Sequence, residues 1–170
     1  DVNPSIELAV SEDGSVLAAE ALNADAEGLL GQADLTGLPY GRALASLVEG
    51  EGFAAYRTSG SLVEVDVVSA DDALAARLMD ESDAVLAALP CATACTRASE
   101  ADRQAAADAG MGIGRYRAAC ELVGLDPSLT VQDCAHLSMA ELRERIDACS
   151  DGGSGRPGQH AFDSAGKHRG

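Results

Sequence analysis

The first ten residues alternate between apolar and polar side chains with a period of two. Val2, Pro4, Ile6, Leu8 and Val10 share one face, and the mostly polar residues between them share the other. This period predicts a half-buried β-strand. Because proline has no N–H to donate to a sheet ladder, Pro4 marks either the start of the strand or an edge position.

Turn residues predict that this strand belongs to a hairpin. The Ser-Glu-Asp-Gly sequence at residues 11–14 favours a turn, so residues 16–21 can return as a second strand. Residues 53–57 and 62–68 flank a second turn and predict a second hairpin, in which alternate valines face inward. Residues 91–97 are predicted to form a last strand.

Apolar spacing of three and four residues predicts the helices. One short helix is expected at residues 23–31, and a second follows Pro39. Asp71 or Asp72 can cap a third helix, which must end before Pro90. Hairpins that alternate with helices, without a repeated βαβ unit, favour an α+β fold with a mainly antiparallel sheet.

The C-terminal part of the predicted fold is helical. Helix starts are expected at Ser99, with Asp102 three residues later, and at the capping box formed by Ser138 and Glu141. Between them, an apolar helix stripe is expected at four positions: Ile113, Tyr116, Cys120 and Val123.

Length and composition suggest how the chain divides. A chain of 170 residues is expected to build one main core. We expect an α+β domain over residues 1–109 and a helical extension packed on it over residues 110–149. Residues 150–170 are glycine-rich, polar and without period, so we expect a disordered tail there.

The charge of the chain excludes several classes of partner. It carries 28 acidic against 12 basic residues, for a formal net charge of −16. Nucleic-acid binding requires a basic surface, so no nucleic-acid partner is expected, and an anionic membrane surface is equally disfavoured. The chain lacks an apolar run of the ~18 residues that span a bilayer. Because Asp1 opens within an alternating segment, we expect a piece of a longer protein whose anchor lies upstream.

Histidine and cysteine give little support for a metal or cofactor site. Two of the three histidines lie in the expected tail, and His136 is interpreted as a solvated residue between two helices. We therefore expect no metal and no cofactor. The pairing of the cysteines stays open, because buried free thiols and disulfides are both compatible with their positions. They are Cys91, Cys95, Cys120, Cys134 and Cys149.

A glycine-rich segment precedes one of the predicted C-terminal helices. Gly110, Gly112 and Gly114 resemble a phosphate-binding loop only superficially, because no Lys-Ser/Thr pair follows them. A flexible start to the helix is the favoured interpretation.

The dipeptide Asn3-Pro4 has a specific chemistry. Asparagine usually deamidates when the following backbone nitrogen attacks its side chain, but the proline nitrogen carries no hydrogen. The remaining route is attack by the Asn3 side-chain nitrogen on its own carbonyl carbon, which forms a succinimide and expels Pro4 as an amine. A fold can assist by twisting the amide and by placing proton donors beside it.

Three neighbouring side chains share the strand face of Asn3 and are candidate assisting groups. They are Asp1, Ser5 and Glu7. The alternative, which the spacing alone favours, is that Asn3-Pro4 is an ordinary turn or strand-start dipeptide.

Several strings of residues resemble one family. The run Asp-Val-Asn-Pro-Ser-Ile-Glu-Leu-Ala-Val at residues 1–10, followed by Ala-Leu-Asn-Ala-Asp at residues 21–25, resembles the extracytoplasmic domain of RsgI-type anti-sigma-I factors. The strings Gly-Ile-Gly-Arg-Tyr at residues 112–116, Asp-Pro-Ser-Leu-Thr-Val-Gln-Asp at 126–133 and Ser-Met-Ala-Glu-Leu-Arg at 138–143 are similar to the helical part that follows it.

The resemblance implies a role in transmembrane signalling. Such proteins have a cytoplasmic anti-sigma segment, one membrane helix, and this domain on the extracytoplasmic side. The domain cleaves itself between the asparagine and the proline, here Asn3 and Pro4, in a single turnover, and the halves stay together without a covalent bond. The implied partners are the chain's own strand upstream of Asp1, intramembrane and site proteases, a sigma factor and an unknown extracellular ligand. Without the upstream strand, cleavage is expected to be poor.

Two other classes of function stay open. A non-cleaving extracytoplasmic binding or interaction module would carry an inert Asn3-Pro4 bond. A hydrolase would need a cleft with converging, perturbed acids near Glu64, Asp66 or the Gly112 loop.

Overall fold

The structure, a computed structural model, describes residues 4–58 and 60–152. The expectations for Asp1, Asn3 and residues 153–170 therefore lie outside the described residues. The strands are β1 (Ile6–Val10), β2 (Val16–Ala21), β3 (Leu62–Val68) and β4 (Ala92–Ala98). The helices are α1 (Ala24–Leu30), α2 (Tyr40–Glu49), α3 (Asp72–Leu86), α4 (Glu100–Asp108), α5 (Ile113–Leu125), α6 (Val131–Cys134) and α7 (Met139–Gly152).

The first predicted hairpin is confirmed. Strands β1 and β2 pair antiparallel, with Ile6 opposite Ala21 and Leu8 opposite Ala19. The apolar side chains Ile6, Leu8 and Val10 pack against the buried core, as the period of two predicts. The pairing register shifts at Ala9 and Val10, where the strand approaches the turn.

The prediction of a mainly antiparallel sheet is wrong, although the α+β class is confirmed. Strands β3 and β4 pair in parallel, with Leu62 opposite Ala92, and they form a second sheet of two strands. Parallel neighbours need a long crossover connection, which α3 supplies. The last strand was expected in the right place, but the local sequence contains no signal for the direction of its pairing.

The second predicted hairpin is also wrong, because residues 51–56 form a 3₁₀ helix and not a strand. Side chains three residues apart lie on the same side of a 3₁₀ helix. Phe53 and Tyr56 use this spacing, and their ring centroids lie 5.8 Å apart. Phe53 is buried in the core. Two glycines and two alanines in the segment 50–55 give it little preference for a strand.

The predicted helix starts are confirmed. Asp71 accepts hydrogen bonds from the backbone N–H groups at the start of α3. Ser99 and Asp102 form a reciprocal capping box at α4. Ser138 and Glu141 do the same at α7, with the Ser138 N–H donating to Glu141 Oε2 at 2.7 Å.

Two clusters of buried side chains stabilise the described part of the chain. The first joins the strands to α2, α3 and the 3₁₀ helix. The second lies among α5, α6 and α7. Helix α5 contributes Ala118, Ala119 and Leu122 to it, so the fully buried face lies beside the predicted stripe, of which Tyr116 and Val123 pack against the cluster. Cys120 on that stripe is exposed, whereas Cys134 is buried.

Candidate functional site: a groove between two sheet edges

A groove of about 830 Å³ lies between β1 and β3. Its lining includes apolar side chains from α2, the 3₁₀ helix and α3, which belong to the first core cluster. The loop between α4 and α5, together with Arg103 and Arg115, contributes further lining. The groove therefore has a largely apolar interior, two strand edges as walls, and charged groups along one side.

Both walls of the groove are strand edges without a partner strand among the described residues. β1 pairs only with β2, and β3 pairs only with β4. Ser5 and Leu22 form a hydrogen-bonded antiparallel pair, in which the Leu22 N–H donates to the Ser5 carbonyl at 2.8 Å. Because such pairs alternate along a ladder, the peptide groups of Ile6 and Leu8 face away from β2. They are available to another strand.

The segment that leads into β1 is held by Asn23. The Ser5 N–H donates to Asn23 Oδ1 at 3.2 Å. The same oxygen accepts the Ala26 N–H at 3.0 Å and so caps α1. Pro4 itself is partly buried and lines the groove. The backbone immediately after Pro4 is therefore tied to a helix start.

Two glycines of the α4–α5 loop and first turn bring α5 very close to both walls. A Cβ on Gly112 would clash with Ser5 Oγ, and a Cβ on Gly114 would clash with Glu64 Oε2. Both glycines have room only for a hydrogen atom at these contacts. Their role is close packing against β1 and β3, which the sequence analysis had not anticipated.

Glu7 takes part in an ion pair. Arg103 Nη1 lies 3.5 Å from Glu7 Oε1, and Arg103 also pairs with Glu100 at 2.6 Å. Both the Glu7 and Arg103 side chains are partly exposed, so the pair contributes little to stability. It does tie β1 to α4 at the side of the groove.

Arg117 connects α5 to β3 through two acidic side chains. Its guanidinium donates to Glu64 Oε1 at 3.0 Å, to Asp66 Oδ1 at 2.7 Å and to Thr96 Oγ1 at 3.1 Å. The Glu64 and Asp66 side chains are only 14% and 12% exposed. Partial burial lowers the pKa of Arg117, but its bond to Asp66 and the attraction of both carboxylates outweigh this and raise it.

Glu64 is an acid of the groove whose pKa is raised. Burial raises its pKa, the charge of Asp66 adds to the effect, and Arg117 and Arg143 oppose it. Its second oxygen, Oε2, is buried without a hydrogen-bond partner. Such an atom is costly to bury, so the groove holds an acceptor that a donor could satisfy.

This arrangement is suited to binding an extended segment. A cleft with perturbed acids does lie where a hydrolase would need one, but Arg117 occupies an oxygen of both carboxylates. Their geometry is that of an ion-pair network linking two elements.

Among the described residues, no group of three His, Cys, Asp or Glu side chains is placed to hold a metal ion. Within the same ranges, no helix is long and apolar enough to cross a bilayer.

The structure places only some of the predicted site residues. Pro4, Ser5 and Glu7 line the groove, whereas Asp1 and Asn3 lie outside the described residues. Sequence reasoning missed the contacts of Asn23, Arg117 and Gly112, because each depends on a partner distant in sequence. The one available signal was the N-cap preference of asparagine, which marks Asn23 as the start of α1.

One comparison with known proteins identifies a family. Residues 1–121 match the model of the RsgI-like central domain of anti-sigma factors. The match includes both sheets, α4 and most of α5, so it contains every wall of the groove. No curated protein matches the chain.

Proposed function

Because the chain belongs to the family of RsgI-like central domains of anti-sigma factors, we propose that it is the extracytoplasmic sensor of a membrane-anchored anti-sigma factor. The family implies a sigma factor as partner. In this proposal the domain cleaves itself between Asn3 and Pro4 and keeps both pieces together until an outside signal separates them. The single observation that carries the proposal is the groove between β1 and β3.

The occupant that we propose for the groove is a strand of the same protein, N-terminal to Asp1. A strand there would pair with β1 on one side and β3 on the other, which joins the two sheets into one. The short connection through Asn3 and Pro4 favours an antiparallel orientation to β1. The largely apolar lining and the unpartnered edges support this occupant.

The proposed cleavage is a balanced intramolecular reaction. The Asn3 side-chain nitrogen attacks the Asn3 carbonyl carbon and forms a new C–N bond. The bond from that carbon to the Pro4 nitrogen breaks, and the proton lost by the attacking nitrogen ends on the Pro4 nitrogen. The products are a C-terminal succinimide on the upstream piece and a free Pro4 amine on the downstream piece.

The residues near Pro4 differ in how they could assist cleavage of the Asn3-Pro4 bond. Ser5 follows Pro4 and lines the groove, and we propose its hydroxyl as the group that assists proton transfer to the Pro4 nitrogen. Glu7 is engaged by Arg103 in an ion pair, which favours an electrostatic role over proton transfer. Asp1 remains a candidate on its sequence position alone.

In this proposal, the same groove keeps the two pieces together after cleavage. Each backbone hydrogen bond to the upstream strand would contribute about 0.5–1.5 kcal/mol net, and the apolar lining adds to this. A strand held in this way can be removed by ligand binding or by pulling. Its removal would expose the upstream piece to intramembrane proteolysis and release the sigma factor.

Intact-mass measurement tests the proposal on a chain extended upstream by its native sequence. We expect two fragments under denaturing conditions, the larger beginning at Pro4, that co-elute in native size exclusion. An Asn3→Ala control should stay intact. A single uncleaved mass in both chains contradicts self-cleavage.

The groove also supports the alternative of a non-cleaving binding module. An extended peptide can add to an exposed sheet edge, and β1 and β3 offer two such edges. In that case the extended chain stays intact, and the groove is filled by a strand from another molecule.

A further inference from the structure

Ser5 is fixed by three contacts from different parts of the chain. Its N–H donates to Asn23 Oδ1 at 3.2 Å, and its carbonyl accepts the Leu22 N–H at 2.8 Å. Its hydroxyl lies against Gly112 so closely that a Cβ there would clash. The backbone of Ser5 is thus held by hydrogen bonds on both sides, and its side chain packs directly against Gly112.

The elements that hold Ser5 are themselves firmly placed. Asn23 caps α1, which is anchored in the core by Ala26 and Leu29. Gly112 precedes α5, whose later residues are buried in the second cluster. Ser5 therefore cannot shift without disturbing a helix start.

A fixed Ser5 matters for the chemistry proposed at the neighbouring bond. Strain in the Asn3-Pro4 amide persists only if the residues beyond it cannot move to relieve it. The attacking nitrogen and the carbonyl carbon must also be kept close, and small displacements at such sites reduce rates greatly.

On these grounds we propose that Asn23 and Gly112 are positioning residues for cleavage at Asn3-Pro4. Asn23 acts through its hydrogen bond to the Ser5 backbone, and Gly112 acts by its close contact with the Ser5 side chain. This inference rests on the proposed self-cleavage, and it assigns neither residue a contact with the reacting atoms.

The test for Asn23 uses the chain extended upstream by its native sequence, with the cleavage rate followed by intact mass. Asn23→Ala removes the acceptor and should slow cleavage at least about tenfold. Asn23→Asp keeps an acceptor oxygen and should restore cleavage to within a few-fold of the parent. Asp71→Ala is the matched control, because it removes the two-bond cap of α3 far from Ser5 along the chain. It should leave the rate unchanged.

A second pair of variants tests the contact with Gly112. Gly112 has φ −72° and ψ 158°, a backbone conformation that alanine adopts freely. Gly112 is the N-cap of α5, where alanine is slightly less favourable than glycine, so slowing beyond that small effect reports the contact with Ser5. Gly124→Ala is the control, because Gly124 lies in the same helix and a Cβ there meets open space. We expect slowing of at least about tenfold for Gly112→Ala only.

Amide hydrogen exchange supplies a readout that does not depend on cleavage. The Ser5 amide should exchange faster in Asn23→Ala than in Asn23→Asp or Asp71→Ala. If the parent cleaves and both Asn23→Ala and Gly112→Ala cleave at the parent rate, the positioning role is wrong while self-cleavage stands. A parent chain that stays intact overturns both.

Discussion

Removing Arg117 should destabilise the protein far more than its exposed position indicates. The guanidinium is 43% exposed, yet it binds two carboxylates whose side chains are 14% and 12% exposed. Arg117→Ala leaves Glu64 and Asp66 next to each other without a cation between them. It also removes a tie between α5 and the β3 wall of the groove.

The magnitude lies between two limits. Removing one partner of a fully buried ion pair costs about 3–5 kcal/mol, and an exposed pair is worth about 0.2–1 kcal/mol. Because the carboxylates are largely buried but the arginine is not, we expect a loss of about 1–3 kcal/mol. For a chain of this length, that corresponds to a fall in Tm of about 2–12 °C.

The loss should also depend on pH. Burial raises the pKa of Glu64 in the folded protein, so the folded state binds this proton more readily than the unfolded state. Acidification through that pKa therefore adds stability at Glu64. Without Arg117 the pKa of Glu64 rises further, since an opposing charge is lost. The cost of Arg117→Ala should be greatest near pH 7 and smaller near pH 5.

The assay is urea unfolding at both pH values, with Arg97→Ala as the matched control. Arg97 pairs with Asp72 at 2.6 Å, but the two side chains are 45% and 87% exposed. Its removal should cost less than about 1 kcal/mol. The double variant Arg117→Ala/Glu64→Gln should recover part of the loss. Equal costs for the two arginines, or a cost independent of pH, would refute the reasoning.

Two further predictions concern stability. Hydrogen bonds from the helix caps lower the pKa of three acids. Their contribution to the free energy of unfolding should be present above about pH 4 and be lost as pH falls further. Urea unfolding between pH 6 and pH 3 checks this, and constant stability over that range would contradict it. The acids are Asp102, Asp133 and Glu141. Ser82→Ala should cost about 1–3 kcal/mol, because Tyr40 loses the buried hydroxyl that lies 2.7 Å from its own. Adding Tyr40→Phe should restore part of that stability in denaturant unfolding, and a double variant no more stable than the single one would argue against the bond.

Local signals in the sequence predicted local structure well. Alternation located β1, the turn residues after it located β2, and the Ser99 and Ser138 patterns marked true helix starts. These features depend on neighbours within four residues, which is the range over which capping and side-chain period act.

Features that depend on distant partners were not predictable in the same way. The parallel partner of Leu62 is Ala92, thirty residues away, and nothing in either segment states the direction of pairing. Glu64 and Asp66 face away from the valine side of β3, as predicted, but Arg117 covers them. The close contact of Gly112 with Ser5 likewise joins residues that only the folded chain brings together.

Helix α5 belongs to two structures at once. Its first turns contact Ser5, Glu64 and Asp66 through Gly112, Gly114 and Arg117, and its later residues are buried among α6 and α7. Because α5 is packed at both ends, it can transmit a force from one contact region to the other. A load applied to the C-terminal helices would therefore be transmitted along α5 to the edge of β3 and to Ser5, the residue after Pro4.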